Sequence, residues 1–126
     1  MSQRKKVNRF EELEVWKKGC DLATEIYKLS REGKLAKDYG LRDQMTRSAV
    51  SIPSNIAEGK ERETAPELIR YLYFAKGSTG ELQTQLYIVQ RIGYVDEETS
   101  YSLIQQTKVL SKKLGSFIQY LKRNIE

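Results

Sequence analysis

The chain has 126 residues, 39% hydrophobic and 31% charged, with a formal charge of +5, enough for one domain with a real core and hardly for two. It holds no histidine and one cysteine, Cys20. This removes the commonest general base, the Ser-His and Cys-His nucleophile pairs, imidazole metal sites, an internal disulfide and a thiolate zinc site. No apolar run approaches the roughly 20 residues that cross a bilayer, and the basic start MSQRKKVNRF has no apolar stretch behind it. Neither a membrane anchor nor a signal peptide is expected, and the cysteine usage fits a reducing, cytoplasmic setting.

Four segments carry helical periodicity. In the first, roughly 11–31, Leu13, Trp16, Cys20, Ala23, Tyr27 and Ser30 step by three and four, with Val15 and Ile26 widening the seam and Asn8 placed to cap it. Trp16 and Cys20 therefore read as core residues rather than as a stacking platform or a nucleophile. "REGKLAKDYG" follows as a connection, broken by Gly33, Asp38 and Gly40. The second helix begins near Gly40 and puts Leu41, Met45, Ser48, Ala49, Ile52 and Ile56 on one face, with Gly59 as its stop. The third opens on a capping box, Thr64 with Glu67, and Pro66 is tolerated in its first turn. Leu68, Leu72, Ala75, Thr79, Leu82, Leu86 and Val89 then alternate four and three up to Gly93. The fourth starts near Asp96, where Asp96, Glu97 and Glu98 suit a positive helix end, and carries Leu103, Thr107, Leu110, Leu114, Phe117 and Leu121. Short connections make neighbours antiparallel, so the predicted fold is all-α. It is an antiparallel, up-down-up-down four-helix bundle over 10–126, with a basic tail at 1–9 and a second helix kinked near Pro53.

The stretch "SIPSNIAEGK" within the second helix invites a chemical reading, and the residues do not support one. It lacks the glycine–lysine pattern of a phosphate loop. "KGSTGE", at 76–81, lies mid-seam in the third helix, where its amides are already used. Ser51 and Ser54 would need a base at hydrogen-bond distance, and no spacing singles out Glu58 or Lys60. As structure the stretch makes sense. Pro53 cannot donate to the Ala49 carbonyl, and short polar side chains nearby can supply partners. Asn55 is expected to point inward and to bridge to Ser78 or Thr79 on the third helix, fixing register. Pro53, Asn55 and Ser78 are thus structural candidates. No catalytic, metal or cofactor residue is assigned, no cofactor is expected, and the protein is not expected to be an enzyme.

Charge is distributed unevenly. Residues 1–9 hold Arg4, Lys5, Lys6 and Arg9 and no acid, and residues 99–126 hold Lys108, Lys112, Lys113, Lys122 and Arg123 against Glu126. The middle has thirteen basic and sixteen acidic side chains. With four antiparallel helices both chain ends fall at the same end of the bundle, so the basic termini are expected to merge into one patch. Arg4, Lys5, Lys6, Arg9, Lys17, Lys18, Lys112, Lys113, Lys122 and Arg123 are the candidate phosphate contacts for RNA or DNA. The plainer reading is a solvated tail and lysines that complement the negative end of a last helix. On the third helix Tyr71, Tyr73, Phe74, Tyr87 and Ile88 lie off the main seam. Ile69, Tyr73 and Tyr87 are the candidates for an interface with another chain.

Three strings carry a resemblance: "FEELEVWKKGCDLATEIYKLS", "YGLRDQMTRSAVSIPSNIAEGKER" and "ELIRYLYFAKGSTGELQTQLYIVQRIGYV". Over about residues 10–121 the chain resembles the bacterial four-helix bundle family encoded in 23S rRNA intervening sequences, also labelled S23 ribosomal protein. It is similar as well to the accessory variability protein of diversity-generating retroelements. The resemblance implies an antiparallel four-helix bundle, a ring-like homopentamer and no known enzymatic activity. In the retroelement relatives a basic surface binds nucleic acid and reverse transcriptase. Two functions are thus expected of the residues: an assembly that binds nucleic acid through its basic ends, or a scaffold that binds a protein partner.

Overall fold

The computed structural model describes residues 9–124, which form four helices and two single 3-10 turns, without a strand among them. A 3-10 turn at Phe10–Glu12 precedes α1 (Glu14–Leu29), and a second at Leu35–Lys37 leads into α2 (Tyr39–Glu61); α3 (Ala65–Arg91) and α4 (Glu97–Arg123) follow. Asn8 lies outside the described residues. The residue at the N-cap of α1 is Leu13, which makes no side-chain cap.

The other helices start where short oxygen-bearing side chains can take their free amides. Asp38 accepts from the Leu41 amide at 3.2 Å, Thr64 from Glu67 at 3.3 Å and Asp96 from Thr99 at 3.3 Å. Asp38 has a second task, because its other oxygen accepts from the Tyr94 hydroxyl at 3.0 Å and ties the α3–α4 turn to the start of α2. At the end of α3, Gly93 takes φ +80. Its amide donates to the Gln90 carbonyl and that of Tyr94 to Val89, closing the helix in a Schellman motif.

Cross-helix contacts fix the directions. Ser51 meets Ser78 and Arg62 meets Tyr71, so α2 and α3 are antiparallel. Gln83 meets Thr107 and Tyr73 meets Lys122, so α3 and α4 are too. Along the α1–α4 seam Glu14 meets Lys113, Asp21 shares a groove with Gln106 and Lys28 shares one with Thr99, so these two helices are antiparallel as well. The result is the up-down four-helix bundle the spacing predicts. One apolar core runs through it, from Ile26, Met45, Ala49, Ile52 and Ile56 to Leu72, Leu82, Leu86, Leu110, Leu114 and Ile118. The stripes on α2, α3 and α4 are the expected ones, except that Ile118 rather than Phe117 continues the buried face of α4.

Three expectations need correction. Of the expected α1 seam, Leu13, Ala23 and Ser30 are buried, as are Val15 and Ile26, but Gly19 and Leu22 take the buried places expected for Trp16, Cys20 and Tyr27. Trp16 and Cys20 are half-buried and Tyr27 is exposed. Gly19 is the reason: a Cβ there would sit 3.3 Å from Pro53 Cδ, so the backbone of α1 lies directly on Pro53 and Ile52 of α2. Trp16 instead packs its ring 5.5 Å from that of Phe10 at the edge of the core. Second, Gly59 does not stop α2, which continues to Glu61; a Cβ on Gly59 would come within 2.7 Å of Tyr71 Cβ, so this glycine lets α2 and α3 approach closely here. Third, Asn55 does not reach α3. Its Nδ2 donates to the Ser51 carbonyl at 2.8 Å, and the bridge to Ser78 is made by the Ser51 hydroxyl at 2.5 Å. Ser51 also lies 2.9 Å from the Ser48 carbonyl. With one proton per hydroxyl, Ser51 donates to Ser48 and Ser78 donates to Ser51.

Candidate nucleic-acid interface

The chain-terminal end of the bundle gathers the start of α1, the α2–α3 turn and the last turns of α4. Glu14 sits level with Lys113, and α4 runs on for about 15 Å beyond that level at 1.5 Å per residue. Of the ten basic residues singled out, Arg4, Lys5 and Lys6 lie outside the described residues. The other seven fare differently.

Arg9 is exposed and 3.9 Å from Glu11. Around it, Glu11, Glu12 and Glu14 balance Arg9, Lys17 and Lys18, so residues 9–18 form no net positive surface. Lys18 faces the α1–α4 seam beside Asp21 and Gln106. Lys113 pairs with Glu14 at 3.6 Å. Lys122 donates to the Tyr73 hydroxyl at 2.8 Å and lies 5.1 Å from the centre of that ring. A residue read as a phosphate contact and one read as an interface residue are therefore one unit. Lys112 and Arg123 are exposed on α4 and, like Lys17 and Lys18 on α1, have no salt bridge among the described residues.

Lys112 and Arg123 line a groove of about 470 Å³ between α3 and α4, and the third cation there is Lys76 of α3, which the sequence reading missed. The only sequence-level signal was its place in "FAKGSTG", beside small residues that leave room. No acid lines this groove. A larger groove of about 600 Å³ runs between α1 and α4, but it is mainly apolar, formed by Leu13, Val15, Val109 and Phe117; its Lys113 pairs with Glu14, and Lys112 borders both grooves.

The α2–α3 turn adds arginines that are already engaged. Arg62 donates to Glu58 at 3.0 Å and to the Tyr71 hydroxyl at 2.7 Å, and lies 3.7 Å from Glu67. The hydrogen bond to Glu58 raises its pKa still further above the ordinary arginine value. Arg70 stacks over Phe74 and Tyr71 and pairs with Glu67 at 3.4 Å.

The interface candidates divide. Ile69 is half-buried against the core, whereas Tyr73 is 45% and Tyr87 37% exposed, along with Phe74 and Ile88 on the same helix and Ile92 just past its end. Gly77 and Gly80 lie among them on α3, and a Cβ at either would meet nothing within 4 Å. Packing inside the chain does not require these glycines.

Neither Cys20 nor Ser51, side chains of the core seams that could act as nucleophiles, is activated. Burial, then Asp21, raises the pKa of the Cys20 thiol, which opposes thiolate formation. Ser51 is committed to Ser48 and Ser78, with no base within reach in the described hydrogen bonds. Among the described residues there is no cluster of acidic or cysteine side chains that could hold a metal, and no helix long and apolar enough to cross a membrane.

Fold and surface together define an all-helical bundle protein with an uncompensated basic groove at its chain-terminal end. The model of the 23S rRNA-intervening sequence protein family matches residues 11–116, and the chain belongs to that family. Among solved structures it is similar to a protein of unknown function from the S23 ribosomal protein family of Bacteroides thetaiotaomicron. That likeness has a TM-score of 0.75 at 26% identity and covers 82% of this chain and 97% of that one. No curated protein matches.

Proposed function

We propose that the protein is a non-enzymatic, self-assembling bundle that binds nucleic acid, RNA foremost, through the basic surface of α4 and its neighbours. The observation that carries this reading is the groove in which Lys76, Lys112 and Arg123 stand together, with no acid in its lining and no salt bridge to any of the three among the described residues. Such a surface attracts phosphates without reading bases, so binding should be weak, sequence-tolerant and steeply salt-dependent. A labelled single-stranded RNA titrated between 50 and 200 mM salt tests it. Affinity should fall at least tenfold across that range; no binding at 50 mM, or binding indifferent to salt, refutes the proposal. Deleting residues 1–9 in the same assay measures what Arg4, Lys5, Lys6 and Arg9 add.

Assembly belongs to the same proposal, as a homo-oligomer of the pentameric kind the resemblance implies. The outer face of α3 supports it: Tyr73 and Tyr87 are exposed, and Gly77 and Gly80 between them leave space for a close neighbour. Sedimentation at micromolar concentration should give a species several times the 14.6 kDa chain, and a clean monomer removes the idea. The same aromatic face favours a second reading, a scaffold that binds a protein partner and uses its charges for solubility. Under that reading RNA binding is absent while assembly persists.

A further inference from the structure

We propose that the α3–α4 groove is the track on which a single-stranded nucleic acid lies, with Lys76, Lys112 and Arg123 as its phosphate contacts. This inference rests on the nucleic-acid reading above and gives it a location. The groove has cations on both banks, Lys76 from α3 and Lys112 and Arg123 from α4. Its floor is low because α4 presents Ser111 and Gly115 there, one turn apart. A Cβ on Gly115 would sit 3.4 Å from Lys76 Cε, so the stem of Lys76 lies across this glycine. Ser116 and Gln119 add neutral hydrogen-bonding groups.

The three cations share one groove without an acid in it. Arg9, Arg62, Arg70 and Lys113 at this end have carboxylate partners and Lys122 has Tyr73. Lys17, Lys18 and Lys60, like the three, have no salt bridge among the described residues, but each lies within four residues of a carboxylate along its own helix. Lys112 and Arg123 are eleven residues apart on one helix, about 16 Å along its axis. A strand advancing about 3.4 Å per nucleotide would place about five nucleotides over that length. An elongated shallow channel with spaced charges suits a phosphodiester backbone better than a small enclosed anion.

The test is binding of a labelled twelve-nucleotide oligouridylate to the full chain, measured by anisotropy from 50 to 200 mM salt. The triple variant Lys76→Gln, Lys112→Gln, Arg123→Gln should bind at least tenfold more weakly at 50 mM. Its slope of log affinity against log salt should be shallower by about 2, since each single-strand phosphate contact contributes about 0.7. A control, Lys34→Gln with Lys37→Gln, removes exposed cations at the opposite end and should change binding less than twofold. Gly115→Leu raises the groove floor without altering charge and should weaken binding severalfold, with circular dichroism melting to verify each fold. Oligothymidylate should bind like oligouridylate, because the contacts are to the backbone. A triple variant no weaker than the control, with the parent still binding, overturns the groove and leaves the general reading standing. A parent that does not bind at 50 mM overturns both. A more than tenfold preference for one of the two oligonucleotides also overturns the backbone track.

Discussion

At the scale of single residues, two helical glycines predict opposite outcomes from the same substitution. Gly80→Ala adds a methyl group to open space, so the isolated chain should gain about 1 kcal/mol from helix propensity. Gly59→Ala makes the same propensity gain but drives a Cβ to 2.7 Å from Tyr71 Cβ and 3.3 Å from the Leu68 carbonyl. Overpacking of this kind outweighs the gain, and the net loss should be about 1–2 kcal/mol. Urea denaturation of both variants checks the pair. Tyr94 offers a pH signature. Its hydrogen bond to Asp38, with burial and the Asp38 charge added, raises its pKa above the ordinary tyrosine value of 10.0. The unfolded chain therefore loses this proton at lower pH than the folded one, and stability should fall as pH rises from about 10 through the folded pKa. In Tyr94→Phe that part of the alkaline decline should vanish, as pH-dependent melting would reveal. The polar residues around Pro53 were legible as internal joinery, but not in detail. "SIPSN" presents three short polar side chains within five residues, and the sequence has no means to tell which of Ser51, Ser54 and Asn55 turns toward Ser78.

The elements were the most legible level. Thr64, Asp96 and Gly93 carry their boundary function in their own chemistry, and the stripes of α2, α3 and α4 rest on large aliphatic side chains. The face of α1 was misread because its deciding residue is Gly19. A pattern that counts apolar side chains passes over a glycine, while two backbones pressed together at Pro53 select it. Gly59 was misread for the converse reason, since a glycine near a helix end reads as a stop whether or not a neighbour leans on it. Caps make measurable predictions at this scale. Asp38→Ala removes the N-cap of α2 and the partner of Tyr94 together, and should cost at least about 1 kcal/mol. Glu63, in the α2–α3 link, takes φ +70, where a side chain is strained. Glu63→Gly should raise stability by about 0.5–1 kcal/mol once the extra freedom of the unfolded chain is set against the relief. Calorimetry on each variant reads both.

For the whole molecule, the four-helix count foretold that the start of α1 and the end of α4 lie at one end, as the antiparallel contacts show; the tail 1–8 lies outside the described residues. How charge is distributed there was not legible. Ten basic residues looked equivalent on paper, yet Lys113 is matched by Glu14 across a helix pair and Lys122 is held by Tyr73 from 49 positions away. Lys76 enters the basic groove only because α3 and α4 settle in one register, a choice made by packing along their full length. If α3 is also the assembly face, Gly80→Ala should stabilise the monomer while weakening self-association, so that melting and sedimentation move in opposite directions.

The seam between α1 and α4 is sparsely packed compared with those flanking α3, and the grooves along it leave the first helix attached mainly through α2. The molecule is thus built like a hinge-bound book whose first page is the loosest. In hydrogen exchange the amides of Glu14–Leu29 should be labelled well before those at the middle of Ala65–Arg91. Thermal opening should then begin by peeling back α1 and leave the other three helices as the last to disband.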